Sequence, residues 1–227
     1  MTLPVMGVVE TNARVEALAG GATLRFVVPA SAVEVGPERL PTFEVSGLPG
    51  ARVGLRRGFV DLEGASLHVA CVEAPSDRWA PGMEEVVFNV ANGVAHRAMR
   101  ERLDLDRWDA GSIVFQDKYF EQKVFGKTKP DVSLREVSGE HVLGFEGAKR
   151  EVVLCSAICD EPRDRHQCAD ILSRVRVEGL VAAPPPSLLV QAVFFAAEKP
   201  WDAVGIAGMT GVLLVGLVLA KRPRPKP

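Results

Sequence analysis

Residues 81–103 read PGMEEVVFNVANGVAHRAMRERL, and this stretch decides the fold class. Glu84 and Glu85 stand in its first turn, where carboxylates interact favourably with a helix dipole, and Gly82 precedes the run. Apolar side chains recur along it at helical spacing, at Met83, Val86, Val87, Val90, Val94 and Ala98. The pattern predicts one long α-helix that ends near Leu103.

Strand-like segments stand on both sides of this helix. Those before it are residues 22–28, 42–45, 53–60 and 65–72, with the last two flanking the turn sequence DLEG. Those after it are residues 112–125, 142–145 and 151–158, while residues 170–177 suit either a short helix or a last strand. The order predicts an α+β fold, a mostly antiparallel sheet with one long helix packed on it, rather than alternating βαβ units.

This order of elements resembles the PsbP-like family of α+β domains. In that family an apolar strand ending in a proline, as at Leu24 to Pro29, opens the domain. A meander, a long helix and a further meander follow, and a short helix and strand near residues 170–177 would close it. The resemblance covers about residues 20–178 and implies a class that includes many non-enzymatic binding modules, although a fold alone fixes no function.

The C-terminal residues predict a membrane anchor. Residues 203–220 carry no charged side chain, and Lys221 and Arg222 follow at once. Eighteen helical residues would span roughly 27 Å, close to the ~30 Å hydrocarbon thickness of a bilayer. With Trp201 and the two basic residues as interface anchors, the sequence predicts a single C-terminal transmembrane helix with the lipid bilayer as a partner.

The rest of the chain divides around this helix. We predict an N-terminal extension over residues 1–20, a soluble α+β domain over 21–178, a linker over 179–202 and a basic tail over 221–227. The linker contains three consecutive prolines at residues 184–186 and then the apolar residues 188–197, which would lie at the membrane interface or pack on the domain. In the transmembrane helix, Ala203, Ala207 and Gly211 form a small-residue face that would allow self-association, although such residues are common in membrane helices generally.

Three of the four cysteines lie close together in the sequence. Cys155, Cys159 and Cys168 share a fourteen-residue stretch with His166, which gives the ligand types of a zinc site but without a Cys-x-x-Cys spacing. Cys155 and Cys159 would lie roughly 13 Å apart along a strand, beyond disulfide reach. Ordinary thiols, a Cys159–Cys168 disulfide and a metal site all stay open, and Cys71 is predicted to pack as a small apolar residue.

No catalytic motif stands out. Histidines 68, 96, 141 and 166 are scattered; His96 is predicted to be solvated, and the glycine-rich pieces match neither dinucleotide nor phosphate-loop patterns. Asp104, Asp106 and Asp109 lack the later ligands of a calcium loop and suit a helix-terminating turn. A formal net charge of −2 gives no reason to expect nucleic acid.

The sequence therefore predicts a non-enzymatic, tail-anchored protein, without a cofactor, whose domain binds a protein partner at the membrane surface. The alternative is a redox- or metal-dependent sensor or enzyme centred on Cys155, Cys159, His166 and Cys168. Two signals conflict over orientation: the four basic tail residues favour an exported domain, whereas no signal sequence is visible. We weigh the second signal slightly more, and the resulting cytoplasm-facing domain predicts four reduced thiols.

Overall fold

The structure is a computed structural model, and it describes residues 11–18, 20–36, 50–62, 64–76, 79, 82–129, 134–147 and 151–182. The predicted strand at residues 42–45 lies outside these ranges. So do the apolar residues 188–197, the predicted transmembrane helix with Ala203, Ala207 and Gly211, and the interface anchors Trp201, Lys221 and Arg222. Within the described ranges, no helix combines the length and the apolar character needed to cross a bilayer.

The described residues form twelve strands and two helices. Before the long helix lie β1 (Thr11–Ala17), β2 (Thr23–Pro29), β3 (Val33–Glu34), β4 (Arg52–Leu62) and β5 (Ala65–Pro75). The long helix is α1 (Met83–Leu103). After it lie β6 (Leu105–Ala110), β7 (Val114–Gln116), β8 (Tyr119–Thr128), β9 (Arg135–Glu146), β10 (Glu151–Pro162), α2 (Gln167–Ser173), β11 (Arg176–Glu178) and β12 (Leu180–Val181).

The strands form two antiparallel sheets. The large sheet has the order β3-β4-β5-β10-β9-β8-β6, with β12 added to β9 and β7 to β8. The small sheet has the order β1-β2-β11. The α+β class with a large antiparallel sheet is thereby confirmed.

Helix α1 and the small sheet lie on opposite faces of the large sheet. On the α1 side, Phe88 packs with Leu143, Phe145 and Leu154. On the other side, Phe26 of the small sheet and Leu172 of α2 pack with residues of β5 and β10, such as Val69. Strands β5 and β10 are therefore buried on both faces, which explains the continuous apolar runs at residues 69–72 and 152–155.

The helix has the predicted bounds but turns a different face to the sheet. Its buried residues are Val87, Phe88, Ala91, Asn92, Ala95 and Met99, whereas Val86 is 58% exposed. Of the predicted stripe of Met83, Val86, Val87, Val90, Val94 and Ala98, only Val87 is fully buried, Val94 packs partly against Ala70 and Val72, and Val86 is turned towards solvent. The centre of the predicted stripe was therefore wrong, because the sheet packs against the face that carries Phe88, Ala91 and Ala95.

Of three further segments, one agrees with the prediction and two differ from it. Residues 112–125 are not one strand, because Asp117 has a φ of 54° and makes the turn between β7 and β8. Residues 170–177 contain both alternatives, the end of α2 and the start of β11. Strand β1 lies within the segment predicted as an N-terminal extension and pairs with β2 along seven residues.

Candidate functional site

All four cysteines are joined in disulfides. Cys71 of β5 and Cys155 of β10 are directly opposite in the strand register, with Cα atoms 4.1 Å apart. Cys159 of β10 is joined to Cys168 of α2, with Cα atoms 5.5 Å apart. The structure therefore differs from the predicted four reduced thiols and from Cys71 as an unpaired apolar residue. Both pairs are buried in the core between the two sheets.

The candidate metal ligands Cys155, Cys159, His166 and Cys168, one of the alternatives that the sequence left open, are not assembled as a site. Cys155, Cys159 and Cys168 are oxidised, and a disulfide sulfur is not a thiolate ligand. His166 is exposed at the start of α2. In the part of the chain that the structure describes, no three His, Cys, Asp or Glu side chains are grouped to hold a metal ion.

A buried polar network joins α1 to the sheet. The hydroxyl of Ser156 donates to Nδ1 of His141 at 2.7 Å, and Nε2 of His141 donates to Oδ1 of Asn92 at 3.1 Å. The Asn92 amide donates to Gln122 at 2.8 Å, and Gln122 donates to the carbonyl of Gly111 at 2.7 Å. Because burial lowers the pKa of His141 to about 4, its ring is neutral, as this direction of the bonds requires.

This network contains a serine and a histidine but cannot admit a substrate. Ser156 is 1% exposed. The space beside it, lined also by His68 and Met99, has a volume of about 20 Å³, which is room for roughly one water molecule. The network therefore stabilises the packing of α1 on the sheet.

A second polar cluster surrounds the buried carboxylate of Asp160. Arg135 donates to it from Nε at 2.9 Å, and Nη2 of Arg102 lies 3.1 Å from the other oxygen. Arg102 also donates to Ser66 at 2.9 Å and contacts the ring of His68. Burial, with the charge of Arg102 second, lowers the pKa of His68 to about 4, so its neutral ring accepts from the arginine. The cluster ties the end of α1 to β5, β9 and β10.

One uncovered part of the described fold that combines polar groups with a cavity is a face of β8 and β9. Along β8, side chains alternate between burial against α1 and exposure on the opposite side. The exposed side carries Glu121, Lys123 and Phe125, with Phe125 51% exposed. On β9, Glu140 and Val142 stand opposite Lys123 and Glu121. We call this surface, formed by residues 121, 123, 125, 140 and 142, the outer face.

The outer face continues into a groove below α2 and β11. Its volume is about 400 Å³, within the range of about 300–1,000 Å³ typical of ligand sites. The groove is lined by Gln116, Tyr119, Glu121, Lys123, Glu140, Val142, Ser173, Arg176 and Val177. Tyr119, Val142 and Val177 also pack against the core, which makes them fixed walls. We take the outer face and this groove as the candidate functional site.

The carboxylates of the groove are less exposed than its cations. The side chain of Glu121 is 17% exposed and that of Lys123 64%, with 3.7 Å between the carboxylate oxygen and Nζ. Burial and then the charge of Glu121 raise the pKa of Glu140, while Lys123 and Arg176 act more weakly in the opposite direction. Within the described ranges, no hydrogen bond or ion pair engages the Glu140 carboxylate.

No protein-family model and no curated protein matches this chain. It is similar to the structure of LpqN, involved in cell envelope biogenesis of Mycobacterium tuberculosis, with a TM-score of 0.44 and 12% identity over 74% of this chain and 91% of that chain. It is also similar to the Saccharomyces cerevisiae Ran-binding protein Mog1p, with a TM-score of 0.37 and 16% identity over 71% and 84%. Neither likeness carries an argument about what this chain does.

Sequence reasoning missed both polar clusters and the groove. Their members come from distant segments, such as Asn92 and His141, which only the strand register and helix packing bring together. One local signal was available: in residues 119–128 the charged residues Glu121, Lys123 and Lys127 all fall on one face of a strand, as is typical of a strand with one solvated face.

Proposed function

We propose that this chain is a non-enzymatic, membrane-anchored protein whose α+β domain binds a protein partner through the outer face. The observation that carries the proposal is the difference between the two halves of the large sheet. Strands β5 and β10 are covered on both faces, whereas β8 is covered on one. A solvated face with a groove carries an exposed phenylalanine, a residue type enriched in protein interfaces, with polar groups around it as in an interface rim.

The edge of the sheet beside the outer face favours a partner that binds through side chains rather than by strand pairing. Strand β6 carries Asp106, Arg107 and Asp109 at this edge, and charged residues oppose the addition of a further strand. Phe125 stands opposite Asp109 in the register and is the exposed aromatic side chain of the outer face. We therefore expect a partner that covers the face rather than one that extends the sheet.

Attachment to a membrane rests on the sequence. The charge-free residues 203–220, with Trp201 before them and Lys221 and Arg222 after them, support a single transmembrane helix that tethers the domain. A tethered domain finds a membrane-bound partner at high effective concentration, so a modest interface is sufficient.

We propose further that the domain lies on the exported side of the membrane. This reverses the orientation favoured by the sequence alone, and two observations support it. The two disulfides suit an oxidising compartment, because thiols in the cytosol are kept reduced. The four basic residues after Ala220 favour a cytoplasmic position for the segment that follows the helix.

Site-specific photo-crosslinking in cells tests the partner. In the full-length chain, a photoreactive amino acid replaces Phe125, which is 51% exposed, and the matched control carries it at Val86, which is 58% exposed but lies on α1. We expect Phe125 to give a discrete crosslinked protein band and Val86 to give none.

The same band should weaken at least fivefold when Lys123→Glu is added to the Phe125 probe, because this exposed residue lies beside it on the outer face. Equal crosslinking from Phe125 and Val86, or no band from either, would refute the assignment of this face. A crosslink to a second copy of the same chain would identify self-association in place of a different partner.

A further inference from the structure

The groove beside the outer face has a charge arrangement that selects one kind of occupant. We propose that it receives an ammonium or guanidinium group, supplied by a lysine or arginine side chain of the partner protein. The inference rests on the proposed function and specifies the chemistry of the partner. A free amine has the same chemistry, and the experiment below separates the two sources.

The depth of the charges is the first argument. The Glu121 side chain is 17% exposed and Glu140 is half-buried, whereas Lys123 is 64% exposed and Arg176 is also exposed. The negative groups therefore line the inner part of the groove and the positive groups its rim. A cation that enters meets the carboxylates, and acidic or carbonyl groups beside it in the partner would meet the rim.

The partners already present do not satisfy the carboxylates. Lys123 lies 3.7 Å from Glu121, which is long for a hydrogen-bonded pair, and its exposure makes this pair weak. Arg176 donates from Nη1 to the carbonyl of Val175 at 2.8 Å. Within the described ranges, the Glu140 carboxylate has Coulombic neighbours but no hydrogen-bonded or ion-pair partner. An entering cation would relieve the repulsion between Glu121 and Glu140.

The walls suit the stem of a long basic side chain. Tyr119, Val142 and Val177 are half-buried and pack on the core beneath the groove. Lysine and arginine side chains place methylene groups along such apolar surfaces while the charged end finds polar partners. The volume of about 400 Å³ leaves room for one basic side chain together with its neighbouring residues. A wholly apolar ligand would leave the two carboxylates desolvated and unpaired, which costs free energy.

Methyl NMR on the full-length chain in detergent micelles tests the proposal. The reporters are the methyl groups of Val142 and Val177 in the groove, with Val87 under α1 as the reference. The probes are the peptide acetyl-Gly-Lys-Gly-amide, its neutral analogue with norleucine in place of lysine, and n-butylammonium. We expect the lysine peptide to shift Val142 and Val177 in a saturable manner and to leave Val87 unchanged, with the norleucine peptide producing no saturable shift.

Two variants make the result specific. Glu140→Gln should weaken binding of the lysine peptide at least tenfold, and Lys123→Gln should leave it unchanged or tighten it. Glu140→Gln is expected to fold, because burial and Glu121 make the charged form of Glu140 unfavourable in the native state. Absence of a saturable shift, or full affinity in Glu140→Gln, would overturn the proposal.

The outcomes also distinguish a polypeptide side chain from a free amine as the source of the cation, and they test the groove assignment separately from the protein partner. If the lysine peptide binds at least tenfold more tightly than butylammonium, the source is a polypeptide side chain; if the free amine binds as tightly, that assignment is wrong. Crosslinking from Phe125 without any cation binding would refute the groove assignment and leave the proposed function intact. Cation binding without crosslinking would refute the protein partner instead.

Discussion

Asn92 stands where α1 faces the sheet, and it joins the helix to the sheet by two hydrogen bonds. It accepts from His141 at 3.1 Å and donates to Gln122 at 2.8 Å. A buried polar residue at such a position is tolerated because every group of the network finds a partner. Side-chain hydrogen bonds of this kind fix the position of α1 on the sheet more specifically than apolar contacts do.

Substitution of Asn92 tests this interpretation. In Asn92→Ala, the Nε2–H of His141 and the Oε1 of Gln122 lose their partners, and each orphaned group costs about 1–3 kcal/mol. We expect the free energy of unfolding, from denaturant titration, to fall by about 2–4 kcal/mol. The control is Gly93→Ala, next along the helix, where an added Cβ has no heavy atom within 4 Å; it should stabilise the protein by up to about 1 kcal/mol. A loss below about 1 kcal/mol in Asn92→Ala would contradict the network's role.

The two buried histidines predict an acid sensitivity. The pKa of each is lowered from 6.5 to about 4, so between these values the unfolded chain binds more protons than the folded one. Stability is therefore lost as the pH falls from 6.5 towards 4, by about 3 kcal/mol for each histidine. In His68→Gln the amide oxygen can still accept from Arg102. The variant should take up one proton fewer on unfolding between pH 6.5 and 4, so its free energy of unfolding should depend less steeply on pH. An unchanged slope would show that His68 titrates normally in the native state.

At the scale of elements, the disulfides fix β10 to its neighbours on two sides. Cys71–Cys155 joins it to β5 over a sequence separation of 84, and Cys159–Cys168 joins it to α2 over a separation of 9. Because a longer closed loop restricts the unfolded chain more, the chain-entropy model gives about 4–5 kcal/mol for the first and about 3 kcal/mol for the second. Removal of the Cys71–Cys155 bond should therefore lower the free energy of unfolding more than removal of the Cys159–Cys168 bond.

Paired alanine variants measure this difference. Loss of both cysteines of the 71–155 pair should lower the unfolding free energy by more than loss of both cysteines of the 159–168 pair. A free-thiol count on the denatured, unreduced wild-type protein should give none. Four titratable thiols would show that neither bond forms, and the opposite order of the two variants would show that native-state effects outweigh loop closure.

The sequence predicts those elements whose signals, such as turn residues and apolar runs, lie within a few neighbouring residues. The bounds of α1 follow from Gly82 and the first-turn glutamates, and the β4–β5 hairpin follows from two apolar runs around a turn. The face of α1 did not follow, because two apolar stripes overlap and only packing selects the one with Phe88. The pairing of Cys71 with Cys155 depends on the register of β5 with β10, which local sequence does not contain.

At the scale of the whole molecule, the chain combines a disulfide-bonded domain with the charge-free C-terminal residues 203–220. The α+β class was predictable because one long helix stands between runs of strands. The groove was not, because it forms only where β8 and β9 meet α2 and β11. The anchor, the orientation and the partner stay predictions, and they depend on one another: an exported domain meets partners that a cytoplasmic one does not.

Protease treatment of intact cells tests the central claim, a domain held on the exported side by the C-terminal segment. The full-length chain carries an epitope tag after Pro227, and protease is added outside the cells before membranes are collected. We predict that the domain is digested while a short tagged fragment stays protected and membrane-bound until detergent is added. A domain that resists the protease in intact cells would contradict the exported orientation. A full-length chain recovered in the soluble fraction without detergent would contradict the membrane anchor.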